Sequence, residues 1–543
     1  MKKTNQNLKK ILIEKLIKAK PKNREAINEF KRKIAAKFKT SPPSNVDLLE
    51  TYHSLVKNKR VKKTKELERL LLTRPVRSLS GIVNVSVLTK PYFCPGQCVF
   101  CPSEKGFPKS YLTGEPAADR AKFLNFNPYL QVKKRIEMLR EQGHPTDKIE
   151  LRIVGGTWSA YPKRYQTWFI KRCFQASNEN RRKTLESAQK ANEKAKNKIV
   201  GLSIETRPDF ITKKEILRLR KLGVTLVELG VQTVFDDVLK KCRTGLTNKK
   251  IEKATRLLKD AGFKVLYQVM LNLPGSNLKK DLKAFKILFE NEWFKPDWLK
   301  IYPCVVCQNT LLYRWWQKGQ YQPYSKKDLV NLLIQIKKNL PFWVRVTRIF
   351  RDIPAQKIKA GCKTSNLREV AQKEMAARNL FCRCIRCREV KEKYSPKEKI
   401  CLFREDYPAS AGKEIFLSFE NQERTKLFSL LRLRIPSFYF SGEPHFIKVL
   451  DKTAIIRELQ TFGFQLPILK SSGKKSSASS PQHKGLGRKL IQEAEKIAKK
   501  EFGLKKIAVI SGIGARQYYR KLKYRLRNTY MVKTLESSNV QGN

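Results

Sequence analysis

Apolar and polar stretches alternate along the middle of the chain in a way that predicts repeated strand–helix units. Short apolar runs of strand length occur at Ile82–Leu88, Ile149–Val154, Ile199–Ile204, Thr225–Val231, Val265–Leu271, Trp298–Tyr302 and Trp343–Val346. Stretches with helical spacing lie between them, at Pro128–Gln142, Lys213–Leu222, Lys249–Ala261 and Leu278–Glu290. Because repeated βα units form a parallel sheet covered by helices, we predict an α/β fold with a full or partial barrel over residues 81–350.

The two ends of the chain show other patterns. The first 80 residues carry apolar residues at helical spacing, in one stripe of Ile11, Leu12, Leu16 and Ile17 and a second of Ile27, Phe30, Ile34 and Phe38. Near the other end, strand-like runs occur at Glu414–Phe419, Leu427–Ile435, Ala454–Gln460 and Ile507–Ser511. We therefore predict a basic helical arm (1–80), the barrel (81–350), a cysteine-rich linker (351–405) and a second α/β domain (406–543).

Charge narrows the class of partner. The 543-residue chain has 115 Lys and Arg against 48 Asp and Glu, a formal net charge of +67. Such an excess indicates a polyanionic partner, most simply nucleic acid, and we expect the arm to bind tRNA or rRNA phosphates. A membrane surface is the alternative, but the sequence has no apolar stretch of 18 residues. Without a signal-peptide pattern, twelve cysteines in ligand-like spacings predict a cytoplasmic protein.

Three cysteines follow the first predicted strand. Cys94, Cys98 and Cys101 are spaced C-x3-C-x2-C, with no fourth cysteine nearby. Three thiolates suit a [4Fe–4S] cluster that keeps one iron open. In radical S-adenosylmethionine (SAM) enzymes that iron binds SAM, and the cofactors supply the radical chemistry. Half of a zinc site with a distant fourth ligand is the alternative. The position also fits a barrel, whose sites lie at the carboxyl ends of its strands.

A second group of cysteines lies in the linker. Cys382, Cys384 and Cys387 are close enough in sequence for tetrahedral Zn²⁺ if one more ligand is supplied. Cys362 and Cys401 are both open as that fourth ligand, and buried unreactive thiols are the alternative to a metal site.

Polar and glycine residues mark the ends of several barrel strands. Backbone groups of Gly155, Gly156 and Thr157 can face the methionine part of SAM. The carboxylate of Glu205 can bind ribose hydroxyls and the guanidinium of Arg207 can pair with the SAM carboxylate. Gln232 ends another strand. Each could be an ordinary polar residue at a barrel rim, but together they predict a SAM site.

A glycine-containing loop opens the last amphipathic helix. We predict that it binds a pyrophosphate through backbone N–H groups at a helix start. Its residues are Gln482, His483, Lys484, Gly485, Leu486, Gly487 and Arg488. We expect His483 to contact phosphate rather than act as a catalytic base. The arrangement resembles the GNAT-type N-acetyltransferase fold, and this resemblance implies that the loop binds the pyrophosphate of acetyl-CoA.

A radical SAM barrel followed by such a domain resembles the catalytic subunit of Elongator, in its free-standing bacterial or archaeal form. The motifs that carry the resemblance are Pro108-Lys-Ser-Tyr, Thr113-Gly-Glu-Pro116, Asn127-Pro-Tyr-Leu-Gln-Val132, Gly155-Gly-Thr157, Ile204-Glu-Thr-Arg-Pro-Asp209, Leu299-Lys-Ile-Tyr-Pro303, Ser365-Asn-Leu-Arg-Glu369, Cys384-Ile-Arg-Cys-Arg-Glu-Val390, Ile456-Arg-Glu-Leu459 and the Gln482 loop. They extend from about residue 80 to the end of the chain.

The resemblance implies a function. Members of this family form 5-carboxymethyluridine at the wobble uridine of tRNA: a SAM-derived radical takes hydrogen from the methyl group of acetyl-CoA, and the carbon radical adds to the base. The resemblance also implies that Lys300, Tyr518 and Tyr519 line the passage between the two cofactors, with Glu458 near the acetyl group. It requires an electron donor, and it leaves open whether the protein is a homodimer.

A different class of function is also compatible with these motifs. The chain could be a protein lysine acetyltransferase acting on histone-like tails, with a purely structural iron–sulfur cluster. The SAM-binding pattern at the strand ends argues against it, because a structural cluster does not need those residues.

Overall fold

The computed structural model describes residues 2–73, 78–391, 394–395, 398–463 and 485–535. The predicted Ser/Lys/Gly linker, together with Gln482, His483 and Lys484 of the predicted acetyl-CoA loop, lies outside these residues. None of the described helices is long and apolar enough to cross a membrane.

Helices form the N-terminal arm, as the spacing predicts: α1 (Lys2–Ala19), α2 (Arg24–Lys37), α3 (Asn45–Lys57) and α4 (Lys65–Leu71). They pack around a core of their own. Leu12 and Leu16 of the predicted stripe are buried, but Phe38 is exposed because α2 ends before it. Ser44 and Asp47 form a capping box at the start of α3, so this helix begins at a definite residue.

The central unit is a partial barrel. Its parallel sheet has the order β1-β2-β3-β4-β5-β6-β8. The strands of this region are β1 (Val83–Leu88), β2 (Lys148–Val154), β3 (Lys198–Thr206), β4 (Leu226–Gln232), β5 (Lys264–Leu271), β6 (Trp298–Pro303), β7 (Val306–Cys307), β8 (Arg345–Ile349) and β9 (Ile358–Ala360), of which β7 and β9 form a separate antiparallel pair. β8 begins later than predicted because the Val344 N–H bonds to the Pro341 carbonyl in a turn.

Helices cover the outside of this sheet and bury its apolar side chains in one large core. They are α5 (Pro116–Phe123), α6 (Pro128–Glu141), α7 (Lys163–Asn178), α8 (Leu185–Asn192), α9 (Lys213–Leu222), α10 (Asp236–Lys241), α11 (Asn248–Asp260), α12 (Leu278–Glu290), α13 (Leu311–Gln317) and α14 (Lys326–Lys338). The linker adds α15 (Leu367–Ala377) and α16 (Ile385–Arg388).

The C-terminal unit contains a second sheet of order β10-β11-β12-β13-β14-β16-β15. Its elements are β10 (Cys401–Ala409), β11 (Gly412–Glu420), β12 (Leu427–Ile435), α17 (Ser437–Ser441), β13 (Ala454–Thr461), α18 (Leu486–Lys500), β14 (Lys506–Val509), α19 (Arg516–Lys521), β15 (Arg525–Arg527) and β16 (Tyr530–Thr534). Neighbouring strands are antiparallel except for β13 and β14. The sheet begins at Cys401, inside the segment that we predicted as linker.

This second unit sits against the amino ends of the barrel strands. At Gly512, just after β14, an added Cβ would lie 2.0 Å from the carbonyl oxygen of Val200 in β3. Glycine is therefore required by a backbone-to-backbone contact between the two units. The carboxyl ends of the barrel strands remain free for a site of their own.

Candidate active site

A cavity of about 320 Å³ lies at the carboxyl ends of the barrel strands, and the three predicted cysteines line it. Cys94, Cys98 and Cys101 lie in the loop that follows β1. The backbone N–H of Cys101 donates to the Cys98 carbonyl at 3.1 Å, and Val99 bonds to the Cys242 carbonyl at 3.1 Å. These bonds fold the loop and fix it to the end of α10.

The spacing of these thiols suits a cluster better than a single ion. Within the described residues, three potential ligand atoms come within 4.8 Å of one another only at Cys382, Cys384 and Cys387. The three sulfur atoms of the Cys94 loop do not all lie within that distance of one another, and a cluster that binds each thiolate through a different iron does not require them to. Burial raises the pKa of the Cys101 thiol to about 12, so metal binding has to stabilise its thiolate.

Most of the predicted SAM residues line the same cavity. Gly156, Thr157, Glu205, Arg207 and Gln232 all contribute to its wall. The Thr157 hydroxyl is 3.6 Å from the Cys94 sulfur. The strand ends and the cysteine loop therefore surround one cavity, whose size is typical of small-molecule sites.

Gly155 lies behind this wall rather than in it. Its φ is +131°, and an added Cβ would lie 2.0 Å from the Thr89 hydroxyl oxygen. Its glycine is explained by this close approach and by the backbone conformation. A contact between Gly155 and SAM stays a prediction.

Glu205 accepts hydrogen bonds from three side chains inside the barrel. The Tyr111 hydroxyl donates at 2.9 Å, the Gln268 amide at 3.2 Å and the Lys300 ammonium at 3.4 Å. These bonds fix the orientation of the carboxylate toward the cavity, where it can accept from a ligand hydroxyl as well.

Lys300 also forms a buried ion pair with Glu228 of β4. Burial alone would lower the pKa of Lys300, but the Glu228 carboxylate raises it well above its ordinary value. Lys300 is therefore a permanent cation in the lumen rather than a base.

Arg207 is held by its own neighbour. Its guanidinium donates to both carboxylate oxygens of Asp209, at 3.0 and 2.7 Å, and to the Thr244 carbonyl at 2.9 Å. The guanidinium group that we expected to pair with the SAM carboxylate already pairs with Asp209. Pairing of Arg207 with SAM stays a prediction.

Sequence reasoning missed several polar residues of the lumen. Arg152, Glu228 and Gln268 each lie within an apolar strand, and all three line the cavity. Their signal was a charged or amide side chain within a mostly apolar strand run, which does not by itself say which face of the sheet the side chain lies on.

A second cavity of about 690 Å³ lies at the other end of the barrel, between its strands and the second sheet. Lys264 and Trp298 line it from the barrel, and Glu458 and Tyr519 line it from the C-terminal unit. Glu458 accepts from the Arg432 Nε at 2.8 Å and lies 3.6 Å from the Lys264 ammonium. Burial alone would raise the pKa of Glu458, but these two cations lower it, so this residue is a carboxylate.

The strands around this second cavity diverge. β13 pairs with β14 from Ala454 to Ile456, whereas Glu458 to Thr461 pair on the other side with β12. Within the described residues, no strand pairs with β13 beyond Ile456 on the β14 side. This leaves backbone groups of β13 available to an extended ligand.

The three residues expected to line a passage, and Glu458, which was expected near the acetyl group, fall in different places. Lys300 faces the first cavity, whereas Glu458 and Tyr519 face the second. Tyr518 lines neither cavity and is 42% exposed. Its hydroxyl would lie 3.4 Å from a Cβ at Gly487, so it packs on the first turn of α18 instead.

Part of the predicted acetyl-CoA loop is described. α18 starts at Leu486, directly after Gly485 with φ of +75°. Leu486 is buried, Arg488 is exposed, and the first N–H groups of the helix are available to an anion.

The two cavities meet inside the barrel. Both are lined by Ser86, Ala117, Arg152, Thr347 and Asp352. Ser86 and Thr347 lie on the edge strands β1 and β8, Arg152 lies on β2 next to β1, Ala117 lies on α5, and Asp352 follows β8. In the middle of the sheet, Leu226 of β4, Leu266 of β5 and Trp298 of β6 form a buried apolar cluster. The wall that the two cavities share therefore lies along the open edge of the partial barrel.

The second cysteine group forms a compact site beside β8. Hydrogen bonds from Cys382 and Cys387 hold the pKa of the Cys384 thiol well below its ordinary value. The Lys337 ammonium is 3.7 Å from the Cys387 sulfur. Neither Cys362 nor Cys401 joins the group among the described residues, so the structure supplies three ligands there.

Comparisons with known protein families agree with the fold. Residues 88–286 match the model of the Radical SAM superfamily, and residues 296–377 match that of the Radical_SAM C-terminal domain. The solved structure of an archaeal Elp3 from Methanocaldococcus infernus, with its N-terminus deleted, covers 84% of this chain and 100% of its own chain. Its TM-score is 0.73 at 46% sequence identity.

Sequence relatives extend over nearly the whole chain. A tRNA uridine(34) acetyltransferase of Methanocaldococcus infernus is 47% identical over 505 residues, which is 91% of this chain and 92% of the relative. Elongator complex protein 3 of Bos taurus is 38% identical over 543 residues, covering 97% of this chain and 96% of the relative.

Proposed function

This chain belongs to the radical SAM superfamily and, within it, to the family of tRNA uridine(34) acetyltransferases and Elongator complex protein 3, and we propose that it forms 5-carboxymethyluridine at the wobble uridine of tRNA. Acetyl-CoA supplies the two carbons, and a SAM-derived radical activates them.

One observation carries this proposal: two cavities that are lined by different functional groups share wall residues inside one molecule. The first has three cysteines in its wall, and the second has Glu458 and Tyr519 beneath the divergent strands of the second sheet. A radical reaction on an acyl group requires the two reactants at contact distance. The two cavities share wall residues, so ligands that are bound in them can approach each other to that distance.

The first cavity fits a [4Fe–4S] cluster and SAM. Cys94, Cys98 and Cys101 would hold the cluster, and Gly156, Thr157, Glu205, Arg207 and Gln232 surround the space beside it. When bound, the two cofactors together supply a primary carbon radical that can take a hydrogen atom from a methyl group. An external one-electron donor is part of this proposal.

The protein's own residues in this cavity bind and orient the ligands. Glu205, oriented by Tyr111 and Gln268, can accept from ribose hydroxyls. Lys300 places a fixed positive charge at the inner end of the cavity, and Glu228 keeps it there. Such a cation attracts oxygen atoms that carry partial negative charge, including those of a uracil ring.

The second cavity fits an acyl-CoA. We infer that the second sheet is a GNAT-type acetyltransferase domain, because β13 and β14 are parallel and then diverge, and because α18 presents its N-terminus. The Gly485–Arg488 turn would bind pyrophosphate, with Tyr518 packed on Gly487. Glu458 is a carboxylate in the wall and can accept a hydrogen bond or a proton there.

The charge of the second cavity supports an RNA substrate. Cations outnumber carboxylates in its wall, where the basic residues are Arg120, Arg135, Arg152, Lys264, Arg345, Arg386, Lys391 and Arg457 and the acidic ones are Glu150, Asp352, Glu389 and Glu458. Together with the basic arm, this surface suits a folded polyanion. A wobble base can reach the lumen only when it leaves the anticodon stack.

We also propose that Cys382, Cys384 and Cys387 bind Zn²⁺ with a fourth ligand from outside this group. The site would stabilise the linker, whose Arg386 and Glu389 line the second cavity. Elemental analysis should find about one zinc per chain in addition to iron, and Cys384→Ser should lose it. Unchanged zinc in that variant would contradict the assignment.

The function is tested by nucleoside mass spectrometry on tRNA incubated with the reconstituted protein, SAM, acetyl-CoA and a reductant. We expect 5-carboxymethyluridine at position 34 only in the complete mixture. Acetylated lysine on a protein substrate, with unmodified tRNA, would instead identify a protein acetyltransferase.

A further inference from the structure

Arg152 occupies the place where the two cavities meet. It lies on β2, with its side chain on the face that points into the barrel, and it lines both cavities. Ser86 of β1 and Ser203 of β3 are its partners in the strand register. The three side chains therefore form a row of hydrogen-bond donors across neighbouring strands.

This row is incompletely satisfied within the described part of the chain. Arg152 donates from one Nη to Glu150 at 3.3 Å, but its Nε is buried and has no hydrogen-bond partner. The hydroxyl of Ser203 is buried and unpartnered as well. A buried donor without an acceptor destabilises a fold by about 1–3 kcal/mol, and such groups call for an explanation.

Lys300, another cation of the lumen, already has carboxylate partners. Lys300 pairs with both Glu228 and Glu205. Burial alone would lower the pKa of Arg152, but Glu150 and Glu228 raise it, so the guanidinium keeps its charge. At the junction, Arg152 is thus a charged donor with an unused N–H.

We propose that Arg152 binds the carbonyl oxygen of the acetyl thioester, and this rests on the proposed function. The thioester enters from the second cavity, where Glu458 and Tyr519 lie, and its methyl group has to face the cysteine loop of the first. The carbonyl then lies between the two, beside Arg152. A charge-assisted hydrogen bond at that oxygen fixes the direction of the methyl group.

Two ligands that differ by this oxygen test the proposal: acetyl-CoA and S-ethyl-CoA, a thioether with the same two carbons and no carbonyl. Binding is measured by calorimetry on the full chain without added iron or SAM. Wild type should prefer acetyl-CoA by roughly tenfold to hundredfold, the value of one hydrogen bond to a charged group. Arg152→Gln should lose this preference through weaker acetyl-CoA binding alone, and Arg152→Lys should keep part of it.

Arg378→Gln is the matched control, because Arg378 pairs with Glu374 on the exposed side of α15. It should keep the full preference. Glu150→Gln, which releases the guanidinium, should keep or increase it and serves as a second test if Arg152→Gln does not fold. Thermal unfolding reports folding in each case.

Several outcomes would overturn the assignment of Arg152. They are equal affinity of wild type for the two ligands, an unchanged preference in Arg152→Gln, and loss of the preference in Glu150→Gln. Weaker binding of an anticodon stem-loop RNA with an unchanged ligand preference would assign Arg152 to RNA. If neither ligand binds wild type, the proposed function itself fails.

Discussion

Lys300, Glu228 and Glu205 show how much of the candidate site depends on single side chains inside the barrel. Their mutual contacts hold a cation and two carboxylates together in the wall of the first cavity, where the side chains of Lys300 and Glu228 are buried. Removing one partner would leave the others buried and uncompensated, which is costly. We therefore expect each substitution here to change both stability and ligand binding.

At this scale, Cys98→Ser tests the cluster assignment. Reconstituted variant protein should bind much less iron and form no 5′-deoxyadenosine from SAM, because a serine hydroxyl does not replace a thiolate ligand. Iron analysis and chromatography measure the two quantities, and circular dichroism checks the fold. Cys401→Ser, a cysteine outside the cavity, is the control. Wild-type SAM cleavage by Cys98→Ser would refute the assignment.

The residues at strand ends were predictable and those inside the barrel were not. Glu205, Arg207 and Gln232 follow from the rule that sites lie where parallel strands end. Arg152 and Glu228 lie in mid-strand, where the sequence does not say whether a side chain faces the lumen or the helices. Only the register of the folded sheet brings Arg152 to the junction of the two cavities.

Among the elements, helices with clear end signals were predicted well. α12 was predicted with the observed bounds, and the Asn277 side chain caps its first turn. α9 was predicted equally well, since Thr212 caps its start and Gly223, with φ of +90°, ends it.

The missed strands have a physical reason. β10 is an edge strand in which Arg404, Glu405 and Asp406 follow one another, and every second residue is exposed along most of its length. A run of charges of this kind resembles a loop in sequence. The pairing of β10 with β11 starts at Cys401. The second sheet therefore starts before residue 406.

The arm makes a prediction of its own. Replacing the exposed residues Lys57, Lys59, Arg60 and Lys62 by Gln leaves the core of the arm intact. tRNA affinity should fall, and the slope of log affinity against log salt should flatten by roughly 0.7–0.9 for each lost phosphate contact. Filter binding at several salt concentrations measures the slope. As a control, Lys279, Lys283 and Lys286 of α12 are replaced by Gln. If the arm substitutions leave the slope unchanged, the RNA contacts lie elsewhere.

At the scale of the whole molecule, a buried network of charges joins the barrel to the second sheet. Arg434 pairs with Asp260 at 2.6 Å, and Arg457 contacts both Asp297 and Glu414 at 2.9 Å. Asp260 ends α11 and Asp297 immediately precedes β6. Since Arg457 lines the second cavity, the network fixes part of the wall of that cavity. The sequence gives no sign of these pairs, because their partners are far apart along the chain.

Asp297→Asn tests this network through pH. Burial alone would raise the pKa of Asp297, but Arg457 holds it far below the unfolded value of about 3.9. Stability from this carboxylate is therefore present above about pH 4 and is lost as the pH falls below it. The variant should lose about 3–5 kcal/mol at pH 7 and show a shallower decline in acid. Urea unfolding between pH 7 and 3 measures the free energy of unfolding and its dependence on pH, with Glu290→Gln as the control. If the stability of Asp297→Asn and of wild type depended on pH in the same way, this role of Asp297 would be contradicted.

The proposed function requires that the acetyl group meets the radical inside this molecule. The direct measurement is mass spectrometry of 5′-deoxyadenosine formed by the reconstituted protein with SAM, a reductant, tRNA and acetyl-CoA deuterated on its methyl group. We expect deuterium in 5′-deoxyadenosine, together with a labelled carboxymethyl group on uridine 34. Unlabelled 5′-deoxyadenosine, with the label found only in acetylated protein lysine, would contradict it.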